Sequence, residues 1–540
     1  MNMFVFDSPK IRFGALIMTA LLAGRVNAQL PNFDASTLFA HSNVTGTARV
    51  AGAGGAFSSV GADLGSLELN PAGLGIYRSS DIAITPGLRV AADNSDYNGT
   101  SAKASHTILQ FEHAGAVLTK KMADHSKDGV SKPFALKFIS IGINYQTENS
   151  FDRSQNFGML NNSHSLIDNY AFLSNKYYQS SRWSLESYIF SLANIIGQNP
   201  VTGSFTSNVK APVQQSGSLS TSGATHRISL GLGGNVGDKL FFGFSLSVPI
   251  LNYSVSAQMS ETNANPNDSI THFQYYNLSS NVTETGVGVT GKLGLIYKPV
   301  PWMRFGVSYS LPTWYFITEN NSGDLIYQFD TILASEYGPG SLEPYNYKLR
   351  TPMKGTVGAS FYFKEHGFIS VDYDFQNLGS MHYTFSDSAA LLNSSINHYL
   401  KTVYGYSHTA RIGGEAAIKK FRIRAGYSFT SSPFKKGQNY TDAAHDASIH
   451  SATLGMGLKF KSLYLDLAYI FSYTKDGLMP NYTIPLDQIN STYMTHNLLL
   501  TIGFKIGAKG DKNNSNTPAK TRQRNNGELP KYIDPGDKSY

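Results

Sequence analysis

The chain runs to 540 residues, with 50 glycines, no cysteine, charged residues at 15% and a formal net charge of +7. Without cysteine there is no disulfide, no thiolate metal site, no thiol nucleophile and no lipid-modified N-terminus. Charge this sparse, against about 25% in an average soluble domain, together with 12% aromatic residues, argues against a string of ordinary globular domains. At the N-terminus Lys10 and Arg12 precede an apolar run over 13–22, and Val26-Asn27-Ala28 offers a small residue at a cleavage position. This pattern predicts a signal peptide over 1–28 that is cleaved to leave Gln29 first. No later segment reaches the ~18 apolar residues of a membrane-spanning helix.

Residues 29–80 carry Gly52, Gly54, Gly55, Gly61 and Gly65 without sustained alternation, and close on Asn70-Pro71-Ala72-Gly73. Proline presets φ and glycine takes positive φ freely, so the motif reads at least as a turn. From 81 to 507 the pattern becomes period 2. Leu463, Leu465, Leu467, Tyr469, Phe471 and Tyr473 share one face, while Tyr464, Asp466, Ala468 and Ser472 share the other. Segments 410–418 and 421–429 alternate around Lys419-Lys420, and 228–236 and 240–248 around Gly237-Asp238-Lys239. The whole stretch yields about fourteen strands, starting near Ile82, Ser105, Leu136, Arg227, Lys239, Gly286, Met303, Met353, Phe368, Thr409, Phe421, Ala452, Leu463 and Asn497.

One face of these strands is apolar with Tyr and Phe near the ends; the other is Gly, Ser and Thr with isolated charges. That asymmetry predicts an all-β fold, a transmembrane antiparallel β-barrel whose closure pairs every edge, rather than a soluble sandwich. Short turns belong in the periplasm, and the long connections 147–223, 255–282, 318–345, 386–400, 432–448 and 475–494 outside the cell. The connection 114–133 is long for its periplasmic slot. Within 147–223, stretches 165–178 and 183–197 have helical apolar spacing. Residues 508–540 are polar and predict a flexible periplasmic tail. That tail carries several of the surplus cations, so the net charge does not point to nucleic acid.

No catalytic signature appears. Gly286 to Gly291 reads GVGVTG, a formal dinucleotide fingerprint, but it lies within an alternating strand. The histidines show no paired metal spacing, and Ser407-His408 has no orienting acid. The reading is a non-enzyme with no cofactor and no metal.

The stretch RVAGAGGAFSSVGADLGSLELNPAGLGIYRSSDIAITPGL, from Arg49, resembles the N-terminal region of the FadL/TodX family of outer-membrane hydrophobic-compound channels, in its Bacteroidetes-type form. The later pair HTARIGGEAAIKKFRIRAGYSFTSSPF and HSATLGMGLKFKSLYLDLAYIFSY is similar to that family's late hairpins. The resemblance implies a fourteen-stranded barrel, 81–507, with a hatch over 29–80 inside its lumen. It places Asn70, Pro71, Ala72 and Gly73 in that hatch, and implies capture of a hydrophobic molecule outside, binding in a greasy lumenal pocket and sideways release through a gap in the wall. The chain departs from the family in its long loops and in the tail beyond Ile506.

Strand parity turns Arg89, Arg227, Lys292, Arg304, Lys354, Arg411, Arg422, Arg424 and Lys505 inward, with fewer acids: Asp372, Asp374, Glu415 and Asp466. Glu415 falls opposite Arg424 across the Lys419-Lys420 turn, whereas Arg411 falls opposite Ser428. Arg411, Arg304 and Lys354 are therefore the headgroup candidates for a carboxylate ligand. The expected activity is passive uptake of long-chain fatty acids or similar hydrophobic molecules across the outer membrane, with outer-membrane lipid as neighbour. The alternative is a barrel of the same fold serving a secretion system or assembly, binding periplasmic or secreted protein cargo.

Overall fold

The computed structural model describes residues 44–122, 135–177, 185–265, 272–329, 332–337, 344–386, 392–435, 447–478 and 489–507. The signal peptide, the start of the hatch segment and the polar tail lie outside the described residues.

Fourteen antiparallel strands close into a barrel. They are β1 (Ser80–Tyr97), β2 (Thr100–Lys121), β3 (Leu136–Ser150 with Arg153–Asn161), β4 (Val213–Val236), β5 (Leu240–Asn263), β6 (Phe273–Val300) and β7 (Met303–Ser310 with Trp314–Phe329). There follow β8 (Tyr345–Arg350 with Lys354–Tyr362), β9 (Gly367–Asn377 with His382–Phe385), β10 (Tyr406–Ile418), β11 (Phe421–Thr430), β12 (Ile449–Lys459), β13 (Leu463–Leu478) and β14 (Ile489–Ile506). Closure is made by β1 on β14, from Ser80 opposite Ile506 to Tyr97 opposite Ile489. All fourteen expected strands are present, and Glu415 faces Arg424 as the two-residue turn dictates.

The outer surface explains the alternation. Ile228, Leu230 and Leu232 on β4, Leu454 and Met456 on β12, and Leu498, Leu500, Ile502 and Phe504 on β14 all stand exposed. An apolar band on the outside of a closed sheet is the signature of a wall solvated by lipid.

The connections differ from the sequence expectation in two respects. β4, β5 and β6 run for 24, 24 and 28 residues, against the ~10 that cross a bilayer. Much of 255–282 and 318–345, read as loop, is therefore ladder: β5 and β6 stay paired out to Thr262 and Tyr275. Past the apolar band both faces of these strands are rich in Ser, Thr and Asn, so hydrophobic alternation fades while hydrogen bonding continues. Likewise β2 pairs along 100–121, so residues 114–121 of the expected 114–133 connection are strand. At the long-loop end α3 (Leu166–Tyr177) and α4 (Leu185–Leu192) fall where helical spacing was noted, and α5 (Leu392–Val403) occupies a stretch read as loop.

Residues 44–79 fill the lumen. Thr47 caps α1 (Ala48–Gly52) by accepting from the Val50 amide, α2 (Ser66–Leu69) follows, and a 3₁₀ turn spans Pro71–Ile76. Asn70 caps that turn through the Ala72 amide, with Pro71 at its first position, where no N–H is needed. The Asn70 amide also donates to the carbonyls of Ser58 (2.8 Å), Leu295 and Val307 (both 3.3 Å). Wall glycines permit this approach: a Cβ on Gly243 would strike the Pro71 backbone, and one on Gly413 or Gly426 the Ala53–Gly54 backbone. Gly231 and Gly233 likewise thin the wall under Leu67 and Leu74, whereas Gly237 serves a turn at φ +60°.

Candidate functional site: a charged cavity beneath an aromatic cluster

Between hatch and wall lies a cavity of about 50 Å³, lined by Arg227, Lys292, Lys354 and Arg411 and by Glu68, Glu148, Asp372 and Asp374. Room for a few water molecules is all this offers. An acyl chain does not fit while the hatch holds this position.

The groups in it are extensively paired. Arg411 Nη1 donates to Asp374 Oδ2 at 2.7 Å, both side chains being buried. Arg227 bridges Glu148 (2.6 Å) on β3 and Glu68 (3.2 Å) on α2. Glu68 also accepts from Ser229, and its backbone carbonyl from Lys292. Asp372 takes the Ser58 amide (2.8 Å) and hydroxyl (2.7 Å), fixing the hatch to β9. Glu415 is shared by Arg424 (2.7 Å) and the hatch's Arg49 (3.2 Å).

Of the three headgroup candidates, Arg411 and Lys354 meet on this cavity, and Lys354 lies within electrostatic reach of Asp374. Arg304 sits apart, at the short-turn end of β7. Its Nη1 donates to the Val60 carbonyl (2.6 Å) and the Tyr362 hydroxyl (2.8 Å), with the guanidinium over the Tyr362 ring. The expected surplus of lumenal cations is absent from this cavity, because two acids escaped the parity count. Glu68 belongs to the hatch, where no strand parity applies. Glu148 adjoins a β-bulge at Thr147/Asn149 that breaks parity.

Toward the long-loop end the lining turns apolar within two to four residues. Glu148 gives way to Phe151, Arg227 to Leu251 on the neighbouring strand, Thr313 to Tyr315 and Ile317, Thr351 to Leu349, and Gln376 to Leu378. Tyr253, Tyr347, Tyr383 and Phe385 join them, roofed by Ile396, Leu400 and Val403 of α5. A second buried cluster packs Ile167, Ile189 and Phe190 of α3 and α4 on Phe273, Tyr276 and Leu325.

The wall is not uniformly paired. β2 is laddered to β3 only over 113–121; residues 100–111 pair with β1 alone among the described residues. The second segment of β3 instead pairs with β4 and crosses the inner side of β2. There Arg153 reaches Asp93 (2.9 Å) and Ser491 (2.8 Å), and Phe157 meets Tyr97. A side-chain bond, Thr147 Oγ1 to the Phe111 carbonyl at 2.8 Å, ties the mouth of this break. Leu109 and Phe111 stand exposed on its rim, and Gln146 and Glu148 on its far side line the charged cavity.

No family model matches the sequence, and no curated protein does either. Solved structures do match. The P. putida toluene transporter TodX aligns over 86% of this chain and 99% of its own, with a TM-score of 0.50 and 14% identity. A Pseudomonas aeruginosa FadL homologue aligns over 86% and 98%, with a TM-score of 0.51 and 12% identity. At such identities the likeness is one of architecture, and it is complete over the neighbours' length: the chain has the fold of the FadL/TodX-type channels, a fourteen-stranded barrel with its N-terminal segment inside.

Proposed function

We propose that the chain is an outer-membrane channel for passive uptake of hydrophobic small molecules, with long-chain fatty acids or other amphiphiles as cargo. The observation that carries this reading is the buried aromatic cluster on the inner face of the long-loop end, next to a charged cavity and a plug. A water-filled pore lines its lumen with polar groups; a lumen that buries Phe151, Tyr315 and Tyr383 suits an apolar solute. In this reading the solute enters from outside, parts the aromatic cluster to rest its apolar body there and turns any headgroup toward Arg411 and Lys354. Because the hatch fills the route to the periplasm, exit is sideways through the break between β2 and β3. The short-turn end, with the polar tail, then faces the periplasm.

Flux of labelled oleate and of toluene into proteoliposomes tests the proposal. Uptake above empty vesicles supports it, and the ratio of the two reports the cargo class. No flux, together with recovery of secreted proteins in a pull-down, would replace it with the cargo-binding alternative.

A further inference from the structure

One outer-surface arrangement recurs four times among the described residues, and three of its four copies lie away from the break between β2 and β3. Tyr145 on β3, Tyr373 on β9, Tyr427 on β11 and Tyr469 on β13 each place the phenol oxygen 2.7 Å from Nδ1 of a histidine on the next strand. The partners are His226, His408, His450 and His496 respectively. The register is identical in all four: each histidine lies opposite the residue two places beyond the tyrosine, namely Thr147, Phe375, Phe429 and Phe471.

The depth is also shared. Two or four residues below each histidine the outward positions turn apolar: Ile228, Ile412, Leu454 and Leu498. The pairs therefore sit where the apolar band ends at the long-loop side. On β7 and β8, which lack such pairs, the same rim carries Arg350 opposite Trp314 and Lys348 over the Phe316 ring.

The chemistry follows from counting hydrogens. A tyrosine and a neutral histidine own two polar hydrogens, one O–H and one N–H, and the bond between them uses one. Whichever tautomer is present, each pair keeps one donor to offer outward. The other hydrogen bonds shown at these rings are long, Thr147 Oγ1 to His226 at 3.3 Å and Ser448 Oγ to His450 Nε2 at 3.4 Å, and the imidazoles also pack on Tyr406, Phe429 and Phe471. Plain interfacial anchoring needs only aromatic rings; it does not need a histidine at a fixed diagonal four times over, nor cations on the remaining arc.

We propose that this rim is a binding belt for the phosphate groups of lipids in the outer leaflet, with the four Tyr–His pairs as donors and Lys348 and Arg350 as cations. The inference rests on the reading of the barrel as membrane-embedded, and the experiment scores insertion separately. The full-length mature protein and the variant H226F/H408F/H450F/H496F, which keeps aromatic bulk but loses the N–H groups, are placed in phosphatidylcholine nanodiscs. The discs contain either diphosphoryl lipid A or the same glycolipid stripped of its phosphates, and lipid retained on release is counted by native mass spectrometry. Wild type should insert and retain the phosphorylated lipid several-fold over the stripped one, and the fourfold variant should insert equally but retain both alike. An unchanged preference in the variant, or none in wild type, overturns the belt; loss of retention to added inorganic phosphate overturns lipid as the source. Failure of wild type to insert would instead overturn the membrane reading. If the fourfold variant does not fold, H408F and H450F singly should each lower the excess, and no change in either overturns the belt.

Discussion

Arg411 shows how far a single residue's role depends on its neighbour. A carboxylate ligand reaching it must displace Asp374, which already holds the guanidinium at 2.7 Å in a buried site. Arg411→Ala alone strands a buried carboxylate, a loss of about 3–5 kcal/mol that obscures any ligand effect. The informative comparison is Asp374→Asn, which frees Arg411 and should tighten a fatty acid by roughly 5–10-fold without affecting its methyl ester, as read by calorimetry in detergent. The double change R411Q/D374N should erase the acid-over-ester preference while the barrel keeps its heat-modifiable migration. Equal effects on acid and ester would assign the pair to wall stability. Asn70 is the second residue with a decisive position, since its amide joins the hatch turn to strands β6 and β7. Asn70→Ala loses a cap and the amide donor shared by three carbonyls, about 2–3 kcal/mol against hatch docking. Hydrogen exchange should then speed up in 44–79 and stay unchanged in the wall.

At the scale of elements, the hatch is tied within the lumen and at the short-turn end by different means. Inside, Ser58–Asp372 and Arg49–Glu415 act in buried surroundings. At the short-turn end the tie is ionic and half exposed: Arg78 and Lys137 each reach Asp238 at 2.7 Å in the β4–β5 turn. Partial burial alone would raise the Asp238 carboxyl, but Lys137, Asn235 and Arg78 hold it below the ordinary aspartate range. A carboxyl depressed in the folded state contributes stability above its unfolded value and loses it as pH falls through the folded one. The clamp should therefore be intact at pH 6 and loosen below about pH 4. Because it is well exposed, the effect is under about 1 kcal/mol, so the readout is local: faster exchange around 74–79 at pH 3 than at pH 6 after correction for intrinsic rates. Asp238→Asn should flatten that difference.

For the molecule as a whole, what could be read in advance tracked what lipid imposes. The fourteen strands were legible because an apolar outside and a small-residue inside force period 2, and closure followed from the cost of an unpaired edge in lipid. Beyond the apolar band that constraint ends, and so did the reading: long paired extensions passed as loops. Helix α5 was missed although Leu392, Ile396, Leu400 and Val403 carry the spacing that would have found it. The site was half legible: Arg411 and Lys354 by parity, but not their balance by Glu68 and Glu148, since a plug and a bulge both fall outside strand register. The wall break was illegible for the same reason, because pairing between distant segments leaves no mark on local alternation. It also carries the most exacting prediction. If cargo leaves between β2 and β3, then joining the mouth should stop transport without stopping capture. The chain has no cysteine, so F111C/T147C can be bridged by a short bis-maleimide against a silent background. The bridged barrel should bind fatty acid as before, while flux falls to that of empty vesicles; either cysteine alone, treated alike, should transport normally. Undiminished flux through the bridged wall would send the cargo past the hatch instead, and in that case Asn70→Ala, by loosening the plug, should raise the rate.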